Sequence, residues 1–197
     1  GRQFVRYSLN THQFEQAYFQ QGCHPNSLQI ISSDVSRTLV HDNQAIYQIN
    51  HADFSVHILY SDCRNEIKTV TAYGNMLFFY DGQELKIFDN NRVVSSDLKL
   101  PYDKKLDVLF CDENGHLWLV FNEAVICHIL HNNETYIFTE YDGFQVNSFS
   151  SYAKLNSLDG YLYFGGNDGL LQIDKQWFRK KPVVSQPKLF LLAAFVG

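Results

Sequence analysis

Histidine is the side chain whose spacing first suggests metal or acid–base chemistry in this sequence. The chain has eight histidines, at positions 12, 24, 41, 51, 57, 116, 128 and 131. His128 and His131 have the i, i+3 spacing that brings two ligands together on a helix, but the residues before them predict a strand end, where this spacing gives opposite faces. A zinc site also needs a third protein ligand, which the pattern does not supply. We therefore predict hydrogen-bonded or solvated histidines, and neither a metal nor a cofactor.

Carboxylates are the second group that could do chemistry. Asp112, Glu113 and Asp159 would suit the paired acids of a glycosidase if they flanked one sugar bond. They instead lie in turns that precede predicted strands, where Asp accepts hydrogen bonds from nearby backbone N–H groups. The sequence has no Gly-x-Ser-x-Gly elbow and no glycine-rich phosphate loop. We predict turn residues here, and no catalytic residue.

The cysteines lack the spacing of a metal site. Cys23, Cys63, Cys111 and Cys127 form no Cys-x-x-Cys or Cys-x-x-His pair. Cys111 and Cys127 lie within apolar strand patterns, so we expect both to be small buried hydrophobic residues. The cysteine pattern leaves the redox state of the thiols open.

A repeated sequence pattern predicts the strands and turns that hold these side chains. Residues 114–121 and 125–129 read NGHLWLVF and VICHI, a turn followed by two strands. The same pattern recurs at intervals of about 40 residues, and an alignment of the copies without gaps places Leu39, Phe78, Trp118 and Tyr163 at one equivalent position. This period, with several short strands per copy, is typical of a propeller blade. We predict that Trp118, Tyr163 and Phe78 are buried in equivalent positions.

The repeats predict an all-β fold, a β-propeller with about four four-stranded blades that is part of a larger array. The propeller region spans residues 1–181, and its blades fall near residues 28–60, 66–98, 105–140 and 149–174. Repeat four lacks its last strand, while residues 4–9 alternate like a strand without a partner. That strand either completes repeat four or belongs to a blade outside this sequence. We expect residues 10–27 to be a long loop.

Composition agrees with β structure and argues against some functions. The chain has 16 Phe and 12 Tyr, and no helical apolar periodicity lasts a full helix length. A net charge of −5 and a pI near 5.9 argue against nucleic-acid binding, because that needs clustered Lys and Arg. A membrane span needs about 18 consecutive apolar residues, and no such run is present. We therefore expect no membrane insertion by this segment.

Three stretches resemble a known family of sensor proteins. Residues 112–118 (DENGHLW) are similar to the two-component regulator propeller repeat. Residues 142–149 (DGFQVNSF) and 158–170 (LDGYLYFGGNDGL) resemble the final blade of the sensor propellers in hybrid two-component histidine kinases of Bacteroides type. Residues 181–197 resemble the Pro-rich linker and opening strand of the Tyr-Tyr-Tyr-type β-sandwich that follows these propellers. Repeats one and two depart from the pattern, since residues 36–39 (SRTL) lack the Gly and the aromatic residue and repeat two has Phe78 in place of Trp.

The resemblance implies a role in signal transduction. It implies a periplasmic sensor region whose parent chain carries a transmembrane helix, a kinase and a regulator domain beyond Gly197, with carbohydrates as typical ligands. We therefore expect a non-catalytic ligand-sensing module that responds to carbohydrate. A propeller-fold enzyme, either a polysaccharide lyase or a glycosidase, is the alternative. A protein-interaction scaffold is a third.

A ligand surface is expected on loops at one mouth of the array, because loops carry function on repeat scaffolds. The connections that enter the inner strands are rich in aromatic and charged residues, and the candidates are Arg64, Tyr102, Asp103, Tyr141 and Phe144. These residue types suit an oligosaccharide, and they equally suit packing against a neighbouring domain. Both interpretations stay open.

The C-terminal tail is strongly apolar. Residues 182–197 are predicted to form a linker and the first strand of a β-sandwich that is truncated here. An apolar strand without its partners is a template for another strand edge. We expect the tail either to dock on the propeller or to pair with a second molecule in a homodimer. In the parent chain its partner would be the following β-sandwich domain.

Overall fold

β-branched and aromatic residues dominate the repeats, and the computed structural model accordingly consists of antiparallel strands. It describes residues 4–19, 28–62, 64–100, 105–142 and 148–175. Within these ranges the single helical element is a 3-10 turn at Glu140–Asp142, and no helix has the length and apolar character to cross a membrane. A hairpin comes first, formed by β1 (Phe4–Ser8) and β2 (Gln13–Ala17).

Four sheets follow in chain order, and within each sheet every strand pairs with the next one along the chain. Blade one contains β3 (Gln29–Ser33), β4 (Arg37–His41), β5 (Ala45–Asn50) and β6 (Val56–Ser61). Blade two contains β7 (Thr69–Tyr73), β8 (Met76–Tyr80), β9 (Leu85–Asp89) and β10 (Arg92–Ser95). Blade three contains β11 (Leu106–Cys111), β12 (His116–Phe121), β13 (Ala124–Ile129) and β14 (Glu134–Thr139). Blade four contains β15 (Phe149–Asn156), β16 (Tyr161–Gly166) and β17 (Leu170–Asp174).

The first strand of each blade brings the four sheets together. Strand β11 contacts both β7 and β15, and β3 contacts β7. Sheets that meet through their first strands and carry the later strands outward are the blades of a propeller. The prediction of an all-β propeller with four blades is therefore confirmed, with three strands in blade four within the described ranges. That the blades belong to a larger array stays a prediction.

The strand register confirms the ungapped repeat alignment. Leu39 pairs with Gln48, Phe78 with Ile87, Trp118 with Cys127 and Tyr163 with Gln172. Leu39, Phe78 and Trp118 are buried, but Tyr163 is only half-buried. The prediction of equal burial is wrong for Tyr163, because no described sheet packs on the face of blade four that carries it.

Apolar side chains fill the spaces between successive blades. The three clusters contain, in blade order, Leu39 with Phe79, Phe78 with Leu119, and Trp118 with Phe164. Successive residues of a strand point to opposite faces, so a blade with a neighbour on each side buries both faces. Strand β12 accordingly has all six of its residues buried, and a run of this kind cannot show the alternation of a half-exposed strand.

The N-terminal hairpin corrects the prediction for residues 10–27. Residues 13–17, expected in a loop, form β2 and pair with β1, and β1 therefore does not complete blade four. Phe4, Ala17 and Phe19 pack on blade one next to Tyr47 and Ile49. The sequence of β2 (QFEQA) does not predict this strand, because pairing with β1 and the packing of Ala17 hold it in place.

Gly115 shows what the turn between β11 and β12 requires. Its φ is +76°, a left-handed conformation that side chains other than Gly rarely adopt. A Cβ at this position would lie 2.9 Å from Cζ of Tyr73 in blade two. The predicted Asn-Gly turn thus needs glycine both for its backbone and for close contact between two blades.

Some predictions fall outside the described residues. The first is the linker and sandwich strand at residues 182–197. The propeller boundary at 181 falls there too. All of them stay predictions.

Candidate functional site

Two of the five candidate ligand-binding residues lie in described loops. Arg64 lies between β6 and β7, and Tyr141 lies in the 3-10 turn between β14 and β15. Both side chains are exposed, Tyr141 by 92%. Both connections lead from the outer strand of one blade to the inner strand of the next, so both lie at the same edge of the propeller. The other three candidates, Tyr102, Asp103 and Phe144, lie outside the described residues, and the proposed surface stays a prediction.

Asp112 is buried in a dense hydrogen-bond network. Its Oδ1 accepts hydrogen bonds from the backbone N of Asn114 at 2.9 Å and of His116 at 3.0 Å. Its Oδ2 lies 2.9 Å from His116 Nδ1 and accepts a hydrogen bond from Trp118 Nε1 at 3.1 Å. Both oxygens are thus committed to the turn and to the core, which confirms the prediction that Asp112 is a turn residue.

Asp159 lies in the equivalent turn of blade four, at the register position of Asn114, and it is exposed. Its oxygens accept hydrogen bonds from the backbone N of Tyr161 at 3.1 Å and from Tyr163 Oη at 3.4 Å. Hydrogen bonds, first that with the Ser157 side chain, lower the pKa of Asp159. The turn prediction is confirmed here as well.

Glu113 differs from its neighbour, because its carboxylate joins two blades. Oε1 lies 2.6 Å from Nζ of Lys175, which is buried, and Oε2 accepts a hydrogen bond from Asn156 Nδ2. The bond with Lys175, followed by that with Asn156, lowers the pKa of Glu113 from 4.5 to about 2. Glu113 is therefore a contact between blades three and four in addition to its place in the turn.

Two further buried carboxylates lie in the turns after the second strands of blades one and two. Asp42 Oδ1 accepts hydrogen bonds from the backbone N of Gln44 and Ala45, at 2.8 and 2.7 Å. Asp81 Oδ1 accepts two such bonds, and its Oδ2 lies 2.7 Å from Lys86 Nζ. The buried carboxylates of the described blades are thus bound by turns or ion pairs, as required of groups shielded from water.

Most of the described histidines form hydrogen bonds with one or two nearby side chains or carbonyl groups. His128 Nδ1 lies 2.9 Å from Thr135 Oγ1, and His51 Nε2 lies 2.8 Å from Thr38 Oγ1. His131 is exposed. Within the described ranges, no group of three His, Cys, Asp or Glu side chains could hold a metal ion. The prediction of hydrogen-bonded or solvated histidines is confirmed for these residues.

Cys111 and Cys127 are free thiols in the core of blade three. Burial raises the pKa of Cys111 to about 12 and moves the pKa of Cys127 in the same direction. A thiol that stays protonated is a poor nucleophile and metal ligand. The prediction of small buried hydrophobic residues is confirmed.

Lys154 is the charged group that sequence reasoning missed. It lies on β15, the inner strand of blade four, and its Nζ donates a hydrogen bond to the backbone O of Leu109 at 3.1 Å. The ammonium also lies 6.0 Å from the ring centroid of Phe110. Burial lowers the pKa of Lys154 from 10.5 to about 8, and within the described ranges no carboxylate forms an ion pair with it. Water exclusion without a counter-ion makes the charged form costly.

The repeat register contained a signal for Lys154. Lys154 pairs with Phe164, Leu109 with Leu119, and Val70 with Phe79. The lysine therefore occupies the inner-strand position at which blades two and three have buried apolar residues. A lone charge at a core position of a repeat is the pattern that would have found it.

Polar side chains from blade one lie near Lys154. Gln29 Nε2 donates a hydrogen bond to Tyr152 Oη at 2.5 Å, which joins the inner strands of blades one and four. Burial lowers the pKa of His41, and the positive charge of Lys154 contributes in the same direction. Blade four thus places Tyr152 against Gln29 of β3, and it places the amine of Lys154 within electrostatic range of His41 at the end of β4.

A cleft of about 470 Å³ lies on the face of blade four that has no neighbouring blade. Its lining is mostly apolar, formed by Tyr152, Ala153, Lys154, Leu155, Tyr163, Gly165 and Leu170. Tyrosine rings beside a flat glycine surface can accept either a sugar ring or another β-sheet.

Comparisons with known proteins identify the fold. No family model matches the sequence, and no curated protein does. Among solved structures, the extracellular domain of a hybrid two-component system from B. thetaiotaomicron has a TM-score of 0.61 at 17% identity, over 85% of this chain and 25% of that one. A second such domain from the same organism has a TM-score of 0.60 at 15% identity, over 81% of this chain and 21% of that one.

A structure of YCF48 bound to a peptide is also similar, with a TM-score of 0.59 at 12% identity over 82% of this chain and 55% of that one. At these identities the likeness establishes a shared propeller fold. This chain spans between a fifth and a quarter of the length of the two receptor domains.

Proposed function

We propose that this chain is the ligand-sensing part of an extracytoplasmic receptor of two-component type, and that its ligand is a carbohydrate. The observation that carries the proposal is the fold shared, over more than four-fifths of the chain, with extracellular domains of hybrid two-component systems. The matching stretches in repeats three and four support the same assignment. On this proposal the segment is periplasmic, and its parent chain carries a following β-sandwich and a histidine kinase.

The state of the carboxylates supports a non-catalytic role. A glycosidase needs one carboxylic acid and one carboxylate on either side of a sugar bond. Asp112 accepts four hydrogen bonds in its turn, and Glu113 is ion-paired with Lys175. Neither group is available as a proton donor or a nucleophile. A binding module is therefore favoured over the enzyme alternative.

The proposed ligand surface is the edge of the propeller that carries Arg64 and Tyr141. An exposed tyrosine ring supplies an apolar face for the C–H groups of a sugar, while a guanidinium donates to its hydroxyls. The remaining candidates, Tyr102, Asp103 and Phe144, follow the same topological rule, since they lie in connections that enter β11 and β15.

Saccharide titration tests the proposal. The chain is titrated by calorimetry with a panel of plant, host and bacterial oligosaccharides, and we expect one class to bind. Tyr141→Ala and Arg64→Ala should each weaken that binding roughly tenfold, as expected when a central contact is truncated. Tyr161→Ala and Arg92→Ala, whose residues follow turns at the opposite edge of the blades, are the matched controls and should bind normally.

Two outcomes would contradict the proposal. If no saccharide class binds, the carbohydrate assignment fails. If incubation with a bound saccharide releases new reducing ends or unsaturated sugars, the enzyme alternative replaces it.

A further inference from the structure

The inner strand of blade four contains a large bulge. Phe149 pairs with Gly166 and Lys154 pairs with Phe164, so residues 150–153 lie opposite Gly165 alone. The irregularity in β11 adds a single residue, and β7 pairs with β8 without any. A bulge redirects the side chains around it and is frequent beside functional sites. Residues 150–153, here called the β15 bulge, therefore set the inner strand of blade four apart from those of its neighbours.

The β15 bulge carries hydroxyl groups on three of its four residues, Ser150, Ser151 and Tyr152. The Ser150 and Tyr152 side chains are exposed. Ser150 Oγ accepts a hydrogen bond from the backbone N of Tyr152 at 3.4 Å, and Tyr152 Oη accepts one from Gln29 Nε2. Because both oxygens act as acceptors in these bonds, both hydroxyl protons can be donated to a ligand.

Lys154 follows the β15 bulge directly and is partly buried. Its Nζ donates a hydrogen bond to the backbone O of Leu109 at 3.1 Å and lies 6.0 Å from the ring centroid of Phe110. The ammonium therefore lies beside the innermost strand of blade three. An ammonium has three N–H donors, and the bond to Leu109 is the one that the described residues accept.

No acid of the described residues neutralises this ammonium. Burial is what lowers the pKa of Lys154 to about 8, so the group is still mostly charged at pH 7. Asp107, the acid of β11, lies 3.7 Å from Lys105 Nζ. Asp103 and Glu140 are the acidic residues whose side chains lie outside the described set. A charge that is partly shielded from water and lacks a partner is stabilised by an anion from solution.

The other residues around Lys154 add no competing charge. Burial lowers the pKa of His41, and the charge of Lys154 contributes in the same direction, so the imidazole is mostly neutral at pH 7. Asp42, which follows His41, has its carboxylate bound by backbone N–H groups of its turn. Phe164, the pairing partner of Lys154 on β16, is uncharged. Lys154 is therefore the charged group that a ligand at this position would meet.

We propose that Lys154 and the β15 bulge form a binding site for a carboxylate group at the centre of the propeller, where inner strands line the channel. One carboxylate oxygen binds the ammonium of Lys154, and the other accepts hydrogen bonds from the hydroxyl groups of Ser150 or Tyr152. One positive charge with neutral donors suits a singly charged anion. The carboxylate belongs either to a free organic acid or to an acidic sugar. This site is separate from the edge that carries Arg64 and Tyr141.

The pKa of Lys154, followed by NMR of its labelled side chain, tests the proposal on the full chain. Titrations are run at fixed ionic strength without ligand and with acetate, glucuronate or glucose. An anion that binds the ammonium form alone should raise the pKa from about 8, by about two units at a hundred times its dissociation constant. We expect this shift with acetate and glucuronate, at roughly millimolar affinity, and no shift with glucose.

The two acids distinguish the sources of the carboxylate. Glucuronate that binds at least about tenfold more tightly than acetate assigns the site to an acidic sugar, because the sugar ring then adds contacts. Equal affinities assign it to a free organic acid. In both cases the affinity should fall as the pH rises above about 8, since the free ammonium loses its proton there.

Variants locate the site. Lys154→Met keeps the length of the side chain without its charge, so it should stay folded by circular dichroism and lose acetate binding. Tyr152→Phe removes one exposed hydroxyl group and should weaken binding without abolishing it. Lys68→Met, which removes an exposed ammonium paired with Glu66, is the matched control and should bind acetate like the parent. Tyr141→Ala should also bind acetate normally, which separates this site from the proposed saccharide surface.

Four outcomes would overturn the proposal. Neither acid shifts the pKa of Lys154, or glucose shifts it equally. Acetate binding that survives Lys154→Met places the anion elsewhere. A ligand-free pKa near 10.5 that falls in Asp103→Asn or Glu140→Gln means that an acid of this chain already pairs with Lys154.

Discussion

Replacing Trp118 by Ala should remove more stability than any comparable change in the other blades. Trp118 is fully buried between blades three and four, and its ring stacks on Phe138 with centroids 6.3 Å apart. Its Nε1 donates a hydrogen bond to Asp112 at 3.1 Å. The substitution therefore opens a large cavity at a blade interface and removes one bond from the turn network.

The structure sets the size of the effect. Truncation of a buried Trp to Ala costs about 3–5 kcal/mol, because the surrounding side chains cannot fill the cavity. The lost hydrogen bond adds about 1 kcal/mol or less, since Asp112 Oδ2 keeps its contact with His116. Trp118→Phe keeps most of the ring volume and should cost about 1–2 kcal/mol. Tyr163→Ala, at the equivalent but half-buried position, should cost about 1 kcal/mol.

Urea denaturation followed by circular dichroism measures these differences. With a slope of about 2 kcal/mol per M, a loss of about 4 kcal/mol lowers the midpoint by about 2 M. The slope should stay constant, because a change in slope would mean that blades unfold separately. Equal costs for Trp118→Ala and Tyr163→Ala would refute the reasoning, since they would show that blade four is as well covered as blade three.

Three other predictions concern contacts between neighbouring blades. The pKa of Lys154 falls from 10.5 to about 8 on folding, so the unfolded chain binds more protons than the folded chain between pH 8 and 10.5. The free energy of unfolding should therefore rise with pH across this range, by up to about 3 kcal/mol. In urea titrations, Lys154→Met should be more stable than the parent at pH 7, and the difference should close by pH 10.5. Because the pKa of Glu113 falls from 4.5 to about 2, Glu113→Gln should be less stable than the parent by about 1 kcal/mol at pH 7, and thermal melts should show the two converging as the pH drops through this range. Both Gly115 and Gly160 have positive φ, so replacing either by Ala should lower the free energy of unfolding by about 1–2 kcal/mol. Gly115→Ala should cost more than this in urea denaturation, because only at Gly115 would the new Cβ lie against Tyr73. Equal costs would show that the tyrosine moves aside freely.

The sequence alone predicted features that repeat along the chain. The equivalent positions of Phe78 and Trp118 in successive repeats identified the blades and their register, because strand spacing and turn residues are local properties that recur in each copy. Asp112 was correctly interpreted as a turn residue for the same reason, since its bonds go to N–H groups a few residues away.

Features that depend on a distant partner were decided only by tertiary structure. Strand β2 exists because β1 pairs with it, and the ion pair between Glu113 and Lys175 joins residues far apart in the chain. Neither partner is visible from local composition. Lys154 is a similar case, since its low pKa arises from burial beside Leu109 and Phe110 of another blade.

The burial of Tyr163 is the clearest case of a property that the repeat pattern alone could not determine. Its slot in the repeat is that of Trp118, and the register places the two residues in equivalent positions. Burial, however, is a property of the next blade and not of the strand, because a sheet face is removed from water only by what packs on it. The repeat pattern could therefore determine where Tyr163 lies in its sheet, while only the assembled stack decided that its face is open.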